Sequence, residues 1–216
     1  MSRRASRFQL ALLLLFAVFF VFWLRDPPYE LHAFIHVVPT WIAIAILLAS
    51  IRYFPISNTS FSLLAAFLTL HVVGTRYVYS FVPYDQWSTQ LAGITVSEAL
   101  GLSRNHYDRF VHFSYGLLVA PAAREVHIRL LQVKPSWSYF AAVEFILASS
   151  MLFELAEWLG AVNLAPDFAD SYLGQQGDLW DAHKDMGLAA AGAVLSVLAA
   201  LTVRYARGGF SKAPSK

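Results

Sequence analysis

Apolar residues gather in long runs separated by short polar connections, and the runs are long enough to read as helices that cross a bilayer. At 1.5 Å of rise per residue, a hydrocarbon core about 30 Å thick takes about 20 residues. Six stretches satisfy this with local tilting or thinning: 8–24, 33–53, 61–82, 109–125, 139–160 and 185–205. The pattern therefore predicts an all-α fold, a polytopic transmembrane bundle of six helices forming a single integral membrane domain over 1–216. Pro39 predicts a kink near the start of the second span. Phe22, Trp23, Leu24 and Arg25 stand where a signal peptide would need small residues, so the first run reads as an uncleaved span. The longer connections, 83–108 and 161–184, can fold over the mouth of the bundle, and 96–102 reads as a short interfacial helix.

Composition agrees with this pattern. The 216 residues are 57% hydrophobic and 14% charged, against about a quarter charged in soluble domains. The net charge of +2 and the lack of a basic stripe argue against a nucleic-acid partner and leave the lipid bilayer as the expected one. With no cysteine, disulfides, thiolate catalysis and Cys-ligated metals are excluded. Lysine and arginine in short loops orient membrane proteins. Placing both termini in the cytoplasm collects Arg3, Arg4, Arg7, Arg52, Arg124, Arg129, Lys134, Arg204, Arg207, Lys212 and Lys216 there, eleven of the 16 basic residues. Trp23, Tyr53, Trp137, Trp158, Trp180 and Tyr205 fall near the expected interfaces, where amphipathic rings are favoured.

On that orientation, acids and histidines concentrate at the outer ends of the spans. Asp108 and His112 share a helix face at a spacing of four, and Tyr115 extends it. Asp181 and Asp185 repeat the spacing at the start of the sixth span, where the helix dipole favours negative charge. Asp178 and His183 flank them, and Glu154 and Glu157 close the fifth span. His71, Thr75 and Tyr79 follow at four-residue steps along the third span. Arg76 lies in the same span, and an unpaired guanidinium there is costly, so Glu154, Glu157 or Asp185 is its expected partner. Each ionised group deep in a span costs about 2.5–3.5 kcal/mol, so several together approach the total stability of a domain, about 5–15 kcal/mol. They must be paired, hydrated or metal-bound.

Three readings of the cluster stay open. Asp108, His112, Glu154, Glu157, Asp181 and Asp185 suit a divalent metal (Zn, Mn or Fe) that activates water or polarises a phosphoryl group. Asp108, His112, Glu157, Asp181 and Asp185 could instead act as a metal-free acid/base site, with Arg76, Arg109, His71, Tyr79 and Tyr115 contacting substrate. In the third reading Arg76, Arg109 and Lys184 neutralise the acids in a purely structural network. Outside the cluster, His32 and His36 lie at the start of the second span, and His106 precedes Asp108. His127 is expected to face headgroups, and Glu144, in the inner half of the fifth span, to find a separate local partner.

The run Asp108–Arg109–Phe110–Val111–His112–Phe113–Ser114–Tyr115 resembles the D-[KR]-x-x-H-F-x-x-Y element of VanZ-like membrane proteins. Glu154 to Glu157 resembles their E-x-x-Q segment with Glu157 for Gln. Asp181 to Asp185, followed by Gly192, resembles D-x-x-x-N…G, with Asp185 for Asn and Leu188 where glycine is usual. A closer resemblance, over 71–83, 104–109 and 174–181, is to the uncharacterised bacterial inner-membrane family typified by YjdF. It implies a multi-pass protein of the bacterial cytoplasmic membrane whose biochemical role is not established. The VanZ likeness implies a link to glycopeptide sensitivity of the cell envelope, and the extra carboxylates favour cation binding. The preferred expectation is a hydrolase or transferase acting on an envelope lipid or lipid-linked substrate. A proton-coupled transporter and a non-catalytic membrane protein are the alternatives, with the oligomeric state open.

Overall fold

The computed structural model describes residues 7–163 and 174–207, and for residues 31 and 32 the backbone only. Arg3, Arg4, Lys212, Lys216 and the His32 side chain, used above, lie outside this description. The described residues are helical without a strand: α1 (Arg7–Trp23), α2 (Glu30–His36), α3 (Val38–Tyr53), α4 (Asn58–Arg76), α5 (Tyr84–Ala92), α6 (Val96–Leu100), α7 (Tyr107–Arg129), α8 (Ser138–Val162) and α9 (Asp181–Ala206). By length and composition, Ala33–Tyr53, α4, α8 and α9 can cross a membrane, and α1 is a shorter apolar helix of 17 residues. At 23 residues α7 is long enough, but charges sit at both of its ends: Asp108 and Arg109, then Arg124, Glu125 and Arg129.

Two expected spans change shape. The second is broken at Val37, because Pro39 has no N–H to donate to the Ile35 carbonyl and α2 and α3 meet there as separate helices. The third stops at Arg76 rather than 82. Val78 and Tyr79 adopt left-handed backbone with φ of 51° and 53°, which costs roughly 1–2 kcal/mol for each residue with a Cβ. The fold-back is held from several sides. The Tyr79 N–H donates to the Gly74 carbonyl at 2.9 Å, and the Tyr79 hydroxyl meets His71 Nδ1 at 2.5 Å. The Tyr79 ring lies where a Cβ on residue 74 would be, so only glycine fits. Tyr79 therefore reaches His71 by reversing the chain, not along a helix face.

Arg76 also departs from expectation. Its guanidinium donates to the carbonyls of Trp23 at 2.5 Å and Arg25 at 2.9 Å and lies against the Trp23 and Tyr77 rings, with no carboxylate ion pair among the described residues. The last carbonyls of a helix lack intrahelical donors and carry partial negative charge. A cation at the end of α1 satisfies both needs and clips α1 to α4.

The core has two parts. Leu13, Phe16 and Phe20 of α1 pack with Leu47 and Ile51 of α3 and with Phe61, Leu68 and Val72 of α4. Val119 and Ala120 of α7, Ile146 of α8, and Ala189 and Ala193 of α9 form the second, with Phe67 of α4 bridging to it. Here α7 and α9 run parallel with their backbones nearly touching. A Cβ on Gly116 would overlap the Ala189 carbonyl, and one on Gly192 would overlap the Phe113 carbonyl. These reciprocal glycines provide the close packing at that crossing, with Leu188 one turn before Gly192. At the other end of α7, Glu125 accepts from the Ser57 N–H and hydroxyl, both at 2.8 Å, and from the Ser60 hydroxyl at 2.7 Å, tying α7 to the start of α4.

Gly116→Val or Gly192→Val is expected to destabilise the detergent-solubilised protein by about 3 kcal/mol, the upper range for forced overpacking. Gly187, with open space around it, should accept alanine with a change within about 1 kcal/mol. Thermal unfolding followed by size-exclusion chromatography distinguishes the two classes.

Candidate functional site

The parallel crossing of α7 and α9 sets the start of one helix beside the start of the other, and α8, antiparallel to both, ends there. Asp108 and His112 on the first turns of α7, Glu154 and Glu157 near the end of α8, and Asp181 and Asp185 on the first turns of α9 therefore converge. His112 Nε2 lies 3.7 Å from Asp108 Oδ1 and 3.4 Å from Glu154 Oε1. Ligand atoms of Asp108, His112 and Asp185 all fall within 4.8 Å of one another. Asp185 is 2% exposed, and its Oδ1 is buried with no hydrogen-bond partner among the described residues. Glu154 and Glu157 border the same hollow, a cavity of about 310 Å³ that also touches Asp108, Asp181, Asp185 and Gln175.

The acids divide into two sets. Asp181 pairs with Arg104 at 2.7 Å and Arg109 at 3.2 Å. Asp178 pairs with Arg109, with Lys184 at 2.5 Å and with Arg104 at 4.0 Å. Arg109 is thereby engaged with these two acids, and Asp181 stands outside the three-residue group. Asp108, Glu154, Glu157 and Asp185 have no ion pair with lysine or arginine among the described residues. A group of carboxylates shielded from water and lacking a counter-charge must hold protons or a cation.

Arg104 was missed as a partner of the acids because nothing in helical spacing links a loop residue to Asp181. Its Nη1 also donates to the Gln175 carbonyl at 2.5 Å, and Asn105 and Gln176 exchange hydrogen bonds at 3.1 and 3.0 Å. These contacts hold the segment before α9 across the cluster. Gly174, at φ 65°, approaches both Ser80 and Asp108. His106, just before α7, donates its N–H to the Tyr84 hydroxyl at 3.1 Å. Its imidazole is pushed below its ordinary value by burial first, then by Arg109 and Arg104.

Behind the cluster a second cavity of about 170 Å³ runs between helices, lined by Ala43 of α3, Phe67 and His71 of α4, Tyr115 of α7, Phe153 of α8, and Tyr79. Asp108 and His112 line it too, and Asp108 also lines the acidic hollow, so the two spaces meet at that residue. His71 is held by Tyr79 and faces the His36 backbone carbonyl, and His36 packs edge-on to Tyr79 at 5.4 Å. His127 turns its Nδ1 to the Ala123 carbonyl at 2.7 Å and its ring to Phe145. One outlying expectation, a local partner for Glu144, is corrected. Glu144 is exposed on α8 with no partner among the described residues.

The profile of a family described as predicted membrane protein (DUF2238) matches residues 8–207. The chain is also 37% identical over 163 residues to the inner membrane protein YjdF of Escherichia coli (strain K12), covering 75% of this chain and 74% of that protein. No solved structure matches it.

Asp178 lies outside the long helices, and its carboxyl is held well below the ordinary carboxylate range, first by Lys184, then by the Trp180 N–H, with Arg109 adding. A depressed folded value means the stabilisation is present above the unfolded value of 3.8 and is lost as pH falls through the folded one. Asp178→Asn is therefore expected to be less stable than the parent at pH 7 and to lose less stability on acidification below about pH 4. Thermal melts from pH 7 to pH 2.5 check this.

Proposed function

The chain belongs to the DUF2238 family of predicted membrane proteins, and from that membership we propose a multi-pass protein of the bacterial inner membrane that binds a divalent cation at the outer ends of its helices. In this reading six helices cross the bilayer, with α7 among them and α2 and α3 counted as one crossing. Both termini lie in the cytoplasm, as the distribution of lysine and arginine supports. The observation that carries the cation site is the group Asp108, His112 and Asp185, with ligand atoms within 4.8 Å and no paired lysine or arginine. One imidazole and two carboxylates suit Zn, Mn or Fe.

A bound ion there would supply Lewis acidity and lower the pKa of a coordinated water toward neutrality. Glu154 and Glu157 border the same hollow and serve as acid and base. Asp181 anchors Arg104 and Arg109, which hold the covering segment, and acts through that positioning. His71, Tyr79 and Tyr115 line the apolar cavity and face the non-reacting part of a substrate, while Arg76 takes no part. The reaction class that fits is hydrolysis or group transfer on an envelope lipid or lipid-linked substrate. The proton-carrier alternative gains no support, since Glu144 is exposed on α8 and His71 is held between Tyr79 and His36.

Protein purified in detergent and reloaded with Zn²⁺ or Mn²⁺ is expected to hold about one ion per chain. His112→Gln with Asp185→Asn should reduce this at least tenfold, about 1.4 kcal/mol in binding, and Asp178→Asn should leave it unchanged. Elemental analysis reads the ion. An ion content unaffected by the double substitution, or none in the parent, would refute the site.

A further inference from the structure

The apolar cavity is a different kind of space from the acidic hollow it adjoins. Its opposite walls are Pro39 and Ala43 of α3 and Ser149, Ser150 and Phe153 of α8, across a floor made by α4 and α7. The main packing of α3 is on α2 and α4, and that of α8 is on α7 and α9, so among the described residues α3 and α8 form no main helix-to-helix seam with each other. Ala43, Phe67, Tyr115, Ser149 and Phe153 are only half-buried, so the cavity reaches the protein surface along these residues. Ser149 stands about 17 Å along α8 from its start at Ser138, near the middle of the helix. In the six-crossing reading above, that depth lies within the hydrocarbon core.

The polar groups of the wall are turned mostly on one another. The Tyr115 hydroxyl pairs with Ser149 Oγ at 2.5 Å, Ser149 Oγ also donates to the Phe145 carbonyl at 2.5 Å, and Tyr79 pairs with His71. Ser150 Oγ and His71 Nε2 are the exceptions, buried without a hydrogen bond among the described residues. What remains presented to the space is largely carbon, and a cavity of that character excludes water and accepts apolar groups. Asp108 is the residue it shares with the acidic hollow, and His112 beside it lies 3.4 Å from Glu154 of that hollow.

We propose that this cavity seats one hydrocarbon chain of a membrane lipid, admitted sideways from the bilayer between α3 and α8. The polar end of that lipid then reaches Asp108 and His112 without passing through bulk water. The inference deepens the reading above and rests on it only for what lies at the polar end. The substrate class is an amphiphile whose reacting group is close to the root of its chain. A soluble head released from its lipid would lack the part that the cavity holds.

The chain has no cysteine, so Ser150→Cys and Glu98→Cys each introduce a single thiol, one in the cavity and one exposed. In liposomes of phosphatidylethanolamine and phosphatidylglycerol, N-dodecylmaleimide and a membrane-impermeant sulfonated maleimide compete for these thiols. Normalised to Glu98→Cys, the dodecyl reagent should label Ser150→Cys at least tenfold faster than the sulfonated one. Adding Ala43→Phe should slow that labelling at least tenfold, with Ala43→Leu as a milder plug should the larger one fail to fold. Faster labelling by the sulfonated reagent would show a water-filled space. Labelling by neither would show a sealed one, and labelling unaffected by either plug would show a different route. Any of the three overturns the proposal. Ion content measured on the same samples separates the two ideas: ion binding without lateral labelling defeats the lipid seat alone, and lateral labelling without an ion defeats the cation site alone.

Discussion

A carboxylate removed from water must meet a proton, a hydrogen-bond donor or a cation, and this requirement organises the acidic end of the bundle. Asp178 and Asp181 meet arginine and lysine and, through them, fasten the segment before α9 to the segment before α7. Asp108, Glu154, Glu157 and Asp185 lie beside that network without sharing its cations. Had Arg109 turned toward Asp185, that carboxylate would be matched and lost to a cation site. The division of cations between the two sets leaves one imidazole and four carboxylates around a hollow.

The division depends on backbone packing that has no charge in it. Gly116 and Gly192 let α7 and α9 approach until main chain nearly meets main chain, and one to two turns toward the acidic end this sets Asp108 and His112 against Asp185. A wider crossing would separate the groups by more than a ligand-to-ligand distance. The same α7 forms, with α4, the floor of the apolar cavity, so a single helix borders both the polar and the apolar space. Amphipathic recognition follows from that adjacency: Asp108 belongs to both cavities, and His112 of the apolar one lies 3.4 Å from Glu154 of the acidic one.

Much of the helical layout was legible in the chain because local periodicity carries it. The apolar runs anticipate the long helices to within a few residues at most ends, and four-residue spacing correctly set Asp108 beside His112. Three features were not legible, each for a physical reason. Arg76 was assigned a carboxylate, but its partners are main-chain carbonyls at the end of α1, which no side-chain pattern reveals. Tyr79 was placed on a continuing helix, but the chain reverses through two left-handed residues that carry no glycine to announce it. Arg104 escaped notice because its role depends on where residues 175–181 come to rest. The acids were visible as a group; which of them are matched by cations is a property of the folded loops.

The central claim is that His112 and its neighbouring carboxylates face a common cation. Electron spin-echo envelope modulation of Mn²⁺ bound to the purified protein tests it directly, because an imidazole nitrogen on the metal modulates the echo at characteristic frequencies. The account predicts modulation from a single imidazole that disappears in His112→Gln. A spectrum without nitrogen coupling, or one that His112→Gln leaves unchanged, would contradict it.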